Sequence, residues 1–261
     1  MDPFFYVLTA AACGYMWWQH ARRTRARVPQ LGTRLDEGAE IALHVARHEA
    51  QQRGHRVVTT TCLLYGLLQD ETITGAIAAT GGDPDAIEDH VLAALDEGAE
   101  DLDASPVVAW QLQIASHRSR QLSCADLWAG LTLLHASAPE ALTAILPGSL
   151  PTALIDSGGV KAADVLFTLT HGRAEKDIAW PEGHSISVVL INDNITTQDF
   201  VVELLREVFD KGDEARGLML DVHHHGRGVV GRLDAEEARR KIAAARERAR
   251  SAGFPLWIKA E

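Results

Sequence analysis

The chain has 261 residues, of which 46% are hydrophobic and 23% charged, the proportions of a globular protein with a real core and room for one large domain or two ordinary ones. Its formal net charge of −11 excludes generic nucleic-acid binding, which requires a basic face. The three cysteines Cys13, Cys62 and Cys124 are widely spaced and form no C-x-x-C pair, so neither a disulfide framework nor a zinc site is expected, and a reducing cytoplasm fits.

In chain order, Pro3 to Trp18 is apolar apart from Thr9 and is followed by Arg22, Arg23, Arg25 and Arg27. As a helix this run reaches some 24 Å, a marginal span against a hydrocarbon core of about 30 Å. It has no basic residue before the apolar run and no clear A-x-A cleavage site, as a secretory signal would have. The arginine flank keeps the downstream domains on the cytoplasmic side. Residues 1–30 are therefore expected to attach the chain to the cytoplasmic face of the inner membrane, with a packed or interfacial helix as the alternative.

Residues 31–159 carry an internal repeat. From Asp36, the stripe Ala39, Ile41, Ala42, Val45 and Ala46 predicts a helix, Gly54-His55-Arg56 a break, Thr60 to Leu68 a second helix, Thr74 to Ala79 a third, and Asp83-Pro84 the cap of a fourth running to Leu95. The order recurs as Val107 to Ser119, Ser123 to Leu134, Pro139 to Leu146 and Pro151 to Ile155, which predicts a stacked all-α domain whose halves bury each other's apolar faces. No G-x-x-x-x-G-K-[ST] phosphate loop occurs, so ATP hydrolysis is not expected. Gly158-Gly159 and the polar stretch His171 to Glu182 read as punctuation, and residues 160–184 as a linker.

Residues 185–261 form a second unit. The β-branched run Val188 to Ile191 predicts a strand, broken by Asn192, Asp193 and Asn194 in a turn. Thr196 as N-cap with Asp199 opens a helix whose apolar face is Phe200, Val201, Leu204, Leu205, Val208 and Phe209. A second helix from Ala215 ends near His223 and Gly226. Gly228 to Gly231 is the next strand, Asp234 with Glu237 caps a helix that Gly253 stops, and Phe254 to Lys259 is the last strand. The order β-α-α-β-α-β predicts a three-stranded sheet with helices on one face, an α+β fold overall.

Three motifs carry little. Gly226 to Gly231 matches G-x-G-x-x-G, yet it comes after a helix and precedes a strand, the reverse of a dinucleotide site. Asp156-Ser157-Gly158-Gly159 is similar to a protease nucleophile loop but ends a helix, and no strand-rich framework is there to place a His or Asp beside it. His223, His224 and His225 are consecutive and point in different directions, so one inward and two solvated histidines are expected rather than a metal site. No enzyme, metal or cofactor is expected.

The sequence I-N-D-N-x-T-T-x-x-F-V, then L-M-L-x-V-H, G-R-G-V-V-G and A-G-F-P-L resembles the ClpS family, adaptors that hand substrates bearing a destabilising first residue (an N-degron) to Clp ATPases. The pattern A-x-x-x-A-x-x-x-G-H, T-x-x-L-L-x-G-L-L, G-x-D-x-x-A is similar to the Clp N-terminal double-repeat domain. The resemblance implies that Asn192, Asp193 and His223 hold the α-amine, whose ammonium needs converging acceptors. It implies further that Thr196, Gln198, Val201, Met219, Val222 and Leu256 line a pocket for a bulky first side chain, and that Glu236 and Lys241 dock the ATPase, ClpA- or ClpC-like. Asn194 stands where the family usually has a second acidic residue, and Gln198 where it often has a gating methionine, which predicts altered affinity and specificity. The expected function is a non-enzymatic adaptor delivering N-terminal Leu, Phe, Tyr or Trp substrates. The alternative is a regulatory module, self-occluded or competing, that competes with or sequesters the ATPase or adaptor without delivering substrate; in the self-occluded form Glu236 and Lys241 turn onto the chain's own helical domain.

Overall fold

A computed structural model describes residues 35–96, 103–117, 120–136 and 151–261. The expected membrane anchor at residues 3–18 and the expected helix Pro139 to Leu146 lie outside these. Among the described residues no helix is long and apolar enough to cross a membrane.

The helical part begins with α1 (Glu37–Gln52), where the Asp36 carboxylate accepts from the Ala39 N–H at 2.8 Å and the buried face is an alanine stripe, Ala39, Ala42, Ala46 and Ala50. This narrow stripe lets α1 lie close against α2 (Thr60–Leu67), whose Cys62, Leu63, Leu64 and Leu67 are buried. Then come α3 (Glu71–Thr80), capped by Asp70 and stopped by Gly81 at φ 100°, and α4 (Pro84–Asp96). The second set is α5 (Ser105–His117), α6 (Cys124–Ala136) and α7 (Pro151–Ser157). The repeat is visible in how the sets meet: Asp36 N donates to Leu122 O at 2.9 Å, ahead of α1 and α6, and Ala104 N donates to Val58 O at 2.8 Å, ahead of α5 and α2. Each set thus lends the other the same backbone bond.

Residues 160–184 are not a linker throughout. Ala162–His171 forms α8, and its Val165 and Leu166 are fully buried in the helical core. The Trp128 indole nitrogen donates to Ala162 O at 3.1 Å, anchoring α8 on α6. The apolar residues of A-A-D-V-L-F-T-L-T fall at helical spacing, so burial wins over the polar stretch after them.

In the C-terminal part β1 (Ser185–Ile191) lies between β2 (Arg227–Asp234) and β3 (Trp257–Ala260), all antiparallel. Strand alternation turns Ile186, Val188 and Leu190 toward α9 (Gln198–Phe209), α10 (Ala215–His225) and α11 (Ala235–Ser251), with Ile258 and Val230 from the neighbouring strands in the same core. The N-cap of α9 is Thr197, accepting from Phe200 N, and not Thr196. Asp193 takes the Thr196 hydroxyl, which leaves the next threonine to cap. The last strand begins at Trp257, later than Phe254.

The expectation of helices on one face only is also corrected. Val189 is fully buried yet points away from Val188 and Leu190, and on that side Trp257 meets Phe167 and His171 of α8 at ring-centroid distances of 6.1 and 5.0 Å. Ion pairs join the same two parts: Arg250 Nε to Asp164 Oδ1 at 2.7 Å and Arg246 Nε to Glu175 Oε1 at 3.0 Å. The contact therefore uses the C-terminal end of α11. Glu236 and Lys241, at its beginning, do not face the helical part: Glu236 is exposed, and the Lys241 ammonium is held by Asp210 Oδ2 at 2.6 Å with its side chain only 11% exposed.

Candidate functional site

Where β1 ends, the chain turns through Asn192 to Thr197 before α9 begins. The turn is tied at one end by Asn192 N donating to Gly226 O at 2.9 Å, just past α10. Gly226 sits at φ 77°, the left-handed conformation that lets α10 end and the chain reverse into β2. Asp193 organises the turn itself. Its Oδ1 accepts from the backbone N–H of Ile195 at 2.8 Å and of Thr196 at 2.6 Å, and its Oδ2 from the Thr196 hydroxyl at 2.8 Å. An ionised carboxylate offers about four lone-pair sites, so room remains on Asp193 for a further donor.

Beneath the turn is a pocket of about 410 Å³, within the usual size range of small-ligand sites. Val201 of α9, Met219 and Val222 of α10, and Leu256 ahead of β3 supply buried apolar wall; Asn192, Asp193, Thr196, Gln198 and His223 supply polar groups at the same pocket. All nine residues expected at the amine site and side-chain pocket line this one cavity. The helices bring them together because Val201 is one turn into α9, while Met219, Val222 and His223 fall three and four apart on α10.

His223 departs from expectation, being exposed like His224 and His225. It stands at the lip of the open pocket, where α10 runs out into solvent, with its ring 5.7 Å from that of His224. His225 Nδ1 lies 3.0 Å from Asp221 O. Among the described residues no group of three or more His, Cys, Asp or Glu side chains could hold a metal ion.

The pocket also includes Leu190, Ile191, Ile195 and Thr197, which were not expected there from the sequence. Ile195 is the informative one. A lone β-branched apolar residue within the polar run N-D-N-I-T-T was the available signal, and its side chain packs against the core of the helical part as well as lining the pocket. Next to the lining residue Leu256, His171 Nε2 and the Pro255 carbonyl oxygen are 2.7 Å apart. Burial pushes the His171 ring below the ordinary histidine range, against the pull of the Pro255 carbonyl and Asp193. With the ring neutral, Nε2 carries the hydrogen and donates to that carbonyl.

Comparison with known proteins divides the chain in the same way. Residues 182–259 match the family model described as ATP-dependent Clp protease adaptor protein ClpS, and residues 34–123 match the Clp repeat (R) N-terminal domain. The chain is similar to the ATP-dependent Clp protease adapter protein ClpS of Wolinella succinogenes, 42% identical over 83 residues, which is 31% of this chain and 81% of that protein. ClpS of Acetivibrio thermocellus is 42% identical over 85 residues, covering 32% of this chain and 86% of the relative. Among solved structures, Agrobacterium tumefaciens ClpS2 bound to L-phenylalaninamide is 32% identical with a TM-score of 0.30, the match covering 31% of this chain and 98% of that one.

Proposed function

Because this chain belongs to the ClpS family of Clp protease adaptors through its C-terminal part, we propose that the pocket beneath Asp193 binds the free N-terminus of a substrate polypeptide. On this reading the chain delivers that substrate to a ClpA- or ClpC-like ATPase without itself breaking a bond. The carrying observation is the convergence of Asn192, Asp193 and His223 with an apolar wall on one cavity. An N-terminal ammonium brings three donors and a charge to these acceptors, and the first side chain fills the apolar space between Val201, Met219, Val222 and Leu256. Glu236, exposed at the start of α11, is left available to an ATPase, with Lys241 beside it bound to Asp210.

Of the regulatory alternative, the self-occluded form receives less support. The chain does carry its own Clp repeat domain, but the contact between its parts runs through α8, Ile195 and the far end of α11. The adaptor surface named by the resemblance is therefore not the one that is covered.

Fluorescence titration with a Leu-initiated peptide tests the reading. Asp193→Ala is expected to weaken binding by about 1.5–3 kcal/mol, the worth of a hydrogen bond to a charged group. Asp193→Asn, which retains an oxygen for the turn N–H groups, isolates the loss of charge and should also bind more weakly. N-acetylation of the peptide should abolish binding to the parent protein. Equal affinity of parent and both variants, or undiminished binding of the acetylated peptide, removes the turn from the site.

A further inference from the structure

Two walls of the pocket lie on chain without regular secondary structure: the turn bearing Ile195, and the segment between α11 and β3 that bears Leu256. The remaining apolar lining residues sit on regular elements of the C-terminal part, Val201, Met219 and Val222 on helices and Leu190 and Ile191 on β1. Walls on loops are held less precisely than walls on helices or strands, and packing from outside the loop sharpens their placement. Beyond the bonds that Asp193 and Asn192 make at the turn, a further grip comes here from the helical part. His171 holds the Pro255 carbonyl, and Trp257 packs against Phe167 and His171, so α8 takes hold of the chain one residue before Leu256 and one residue after it. The rings of Phe167 and His171 are themselves 4.6 Å apart, which fixes the imidazole on α8. Pro255 has no N–H to offer a neighbouring strand, leaving its carbonyl as the backbone group by which this residue can be tied. Ile195, the wall residue borne by the turn, rests on the helical core.

Resting on the proposed peptide-binding role of the pocket, we propose that the fused helical part is a positioning element for the peptide site. It sets the separation of the Ile195 and Leu256 walls, and so which first side chains the adaptor part accepts. His171 is the positioning residue in this arrangement; it touches no substrate. The partner chemistry is that of an N-terminal residue with an apolar side chain, and the helical part acts on the width of the slot that receives it. Mispositioning by about 1 Å is enough to spoil a shaped site.

The test uses the full chain, as parent and as His171→Ala and His171→Gln. Two readouts are taken: amide exchange at Ile195, Thr196, Leu256 and Trp257, with Leu204 of α9 as internal reference, and the ratio of affinities for Leu- and Phe-initiated peptides of otherwise identical sequence. For His171→Ala, exchange should quicken at those four amides and not at Leu204, and the Leu/Phe ratio should shift by roughly tenfold, the discrimination that a methylene-scale change in an apolar pocket produces. The glutamine side chain can place its amide N–H on the Pro255 carbonyl, so His171→Gln should return both readouts toward the parent. Unchanged exchange in His171→Ala, or an unchanged ratio despite faster exchange, overturns the proposal. Should His171→Ala not fold, Phe167→Leu removes the ring that steadies His171 and is read in the same way. If the parent binds neither peptide, the pocket's proposed function fails and the selectivity role fails with it, whereas faster exchange confined to the two walls would still show α8 positioning them.

Discussion

Asp126 shows how a single side chain ties pH to the stability of the helical part. It accepts from both terminal Arg120 guanidinium nitrogens at 2.5 Å, the Ser123 N–H at 2.9 Å and the Ser123 hydroxyl at 2.8 Å. Burial is the largest single influence and pushes the carboxyl up. Arg120 and Ser123 together outweigh it, so the group titrates below the ordinary carboxylate range. In the unfolded chain an aspartate takes up its proton near pH 3.9, and in the folded protein only at lower pH. The stabilisation is therefore complete above about pH 4 and is lost as the pH falls through the folded value. Asp126→Asn should cost about 1.5–3 kcal/mol at pH 7 and should flatten the stability difference between pH 5 and pH 2.5. Urea unfolding of parent and variant across that range checks both; parallel curves would remove Asp126 as the source.

Helix packing decides the sign of a glycine substitution. Gly66 lies in α2 where α1 crosses it, and a Cβ there would collide with the carbonyl oxygen of Ala42, a backbone atom with no freedom to swing aside. Gly75 lies on the exposed side of α3 with open space around it. Alanine is the better helix former at both by about 1 kcal/mol. Gly75→Ala should accordingly stabilise by up to about 1 kcal/mol, whereas Gly66→Ala should destabilise by about 1–3 kcal/mol as α1 is forced away. Opposite shifts of the thermal midpoint are the expected result. A rise for Gly66→Ala would mean that α1 can retreat without loss.

Across the whole molecule, α8 belongs to the helical core by Val165 and Leu166 and to the sheet's second face by Phe167 and His171. The buried His171 resists protonation because burial disfavours the cation, though the Pro255 carbonyl and Asp193 pull the other way. Freed from the interface it would titrate near pH 6.5. Below that value the separated state binds more protons than the docked state, so docking weakens as the pH falls from about 6.5 through the lowered docked value. Scattering measurements should show a larger radius of gyration at pH 5.5 than at pH 7.5, with the change reduced in His171→Gln. Phe167→Ala removes a buried ring at the same contact and should cost about 3–5 kcal/mol of docking, the cost of emptying a core site. Two melting transitions should then replace one; a single transition in Phe167→Ala would show that the ring does not couple the parts.

The amino-acid sequence alone determined what local chemistry can signal. Asp36, Asp83 and Asp234 accept from N–H groups of the helices that begin just after them, Gly226 stops a helix by adopting positive φ, and the order β-α-α-β-α-β is that of the C-terminal part. The resemblance to the ClpS family also named nine residues that the fold gathers on one pocket. Neighbouring residues compete by margins too small for a sequence to resolve, and so it was the folded turn that gave the cap of α9 to Thr197 and the Thr196 hydroxyl to Asp193. The exposure of His223, the second cover on the sheet and the double duty of Ile195 were likewise decided by tertiary structure. Capping and periodicity act over a few residues, whereas the His171–Pro255 bond joins positions 84 apart. No local pattern marks which histidine will meet which carbonyl until α8 has been carried, by the burial of its own apolar stripe, against the edge of the sheet.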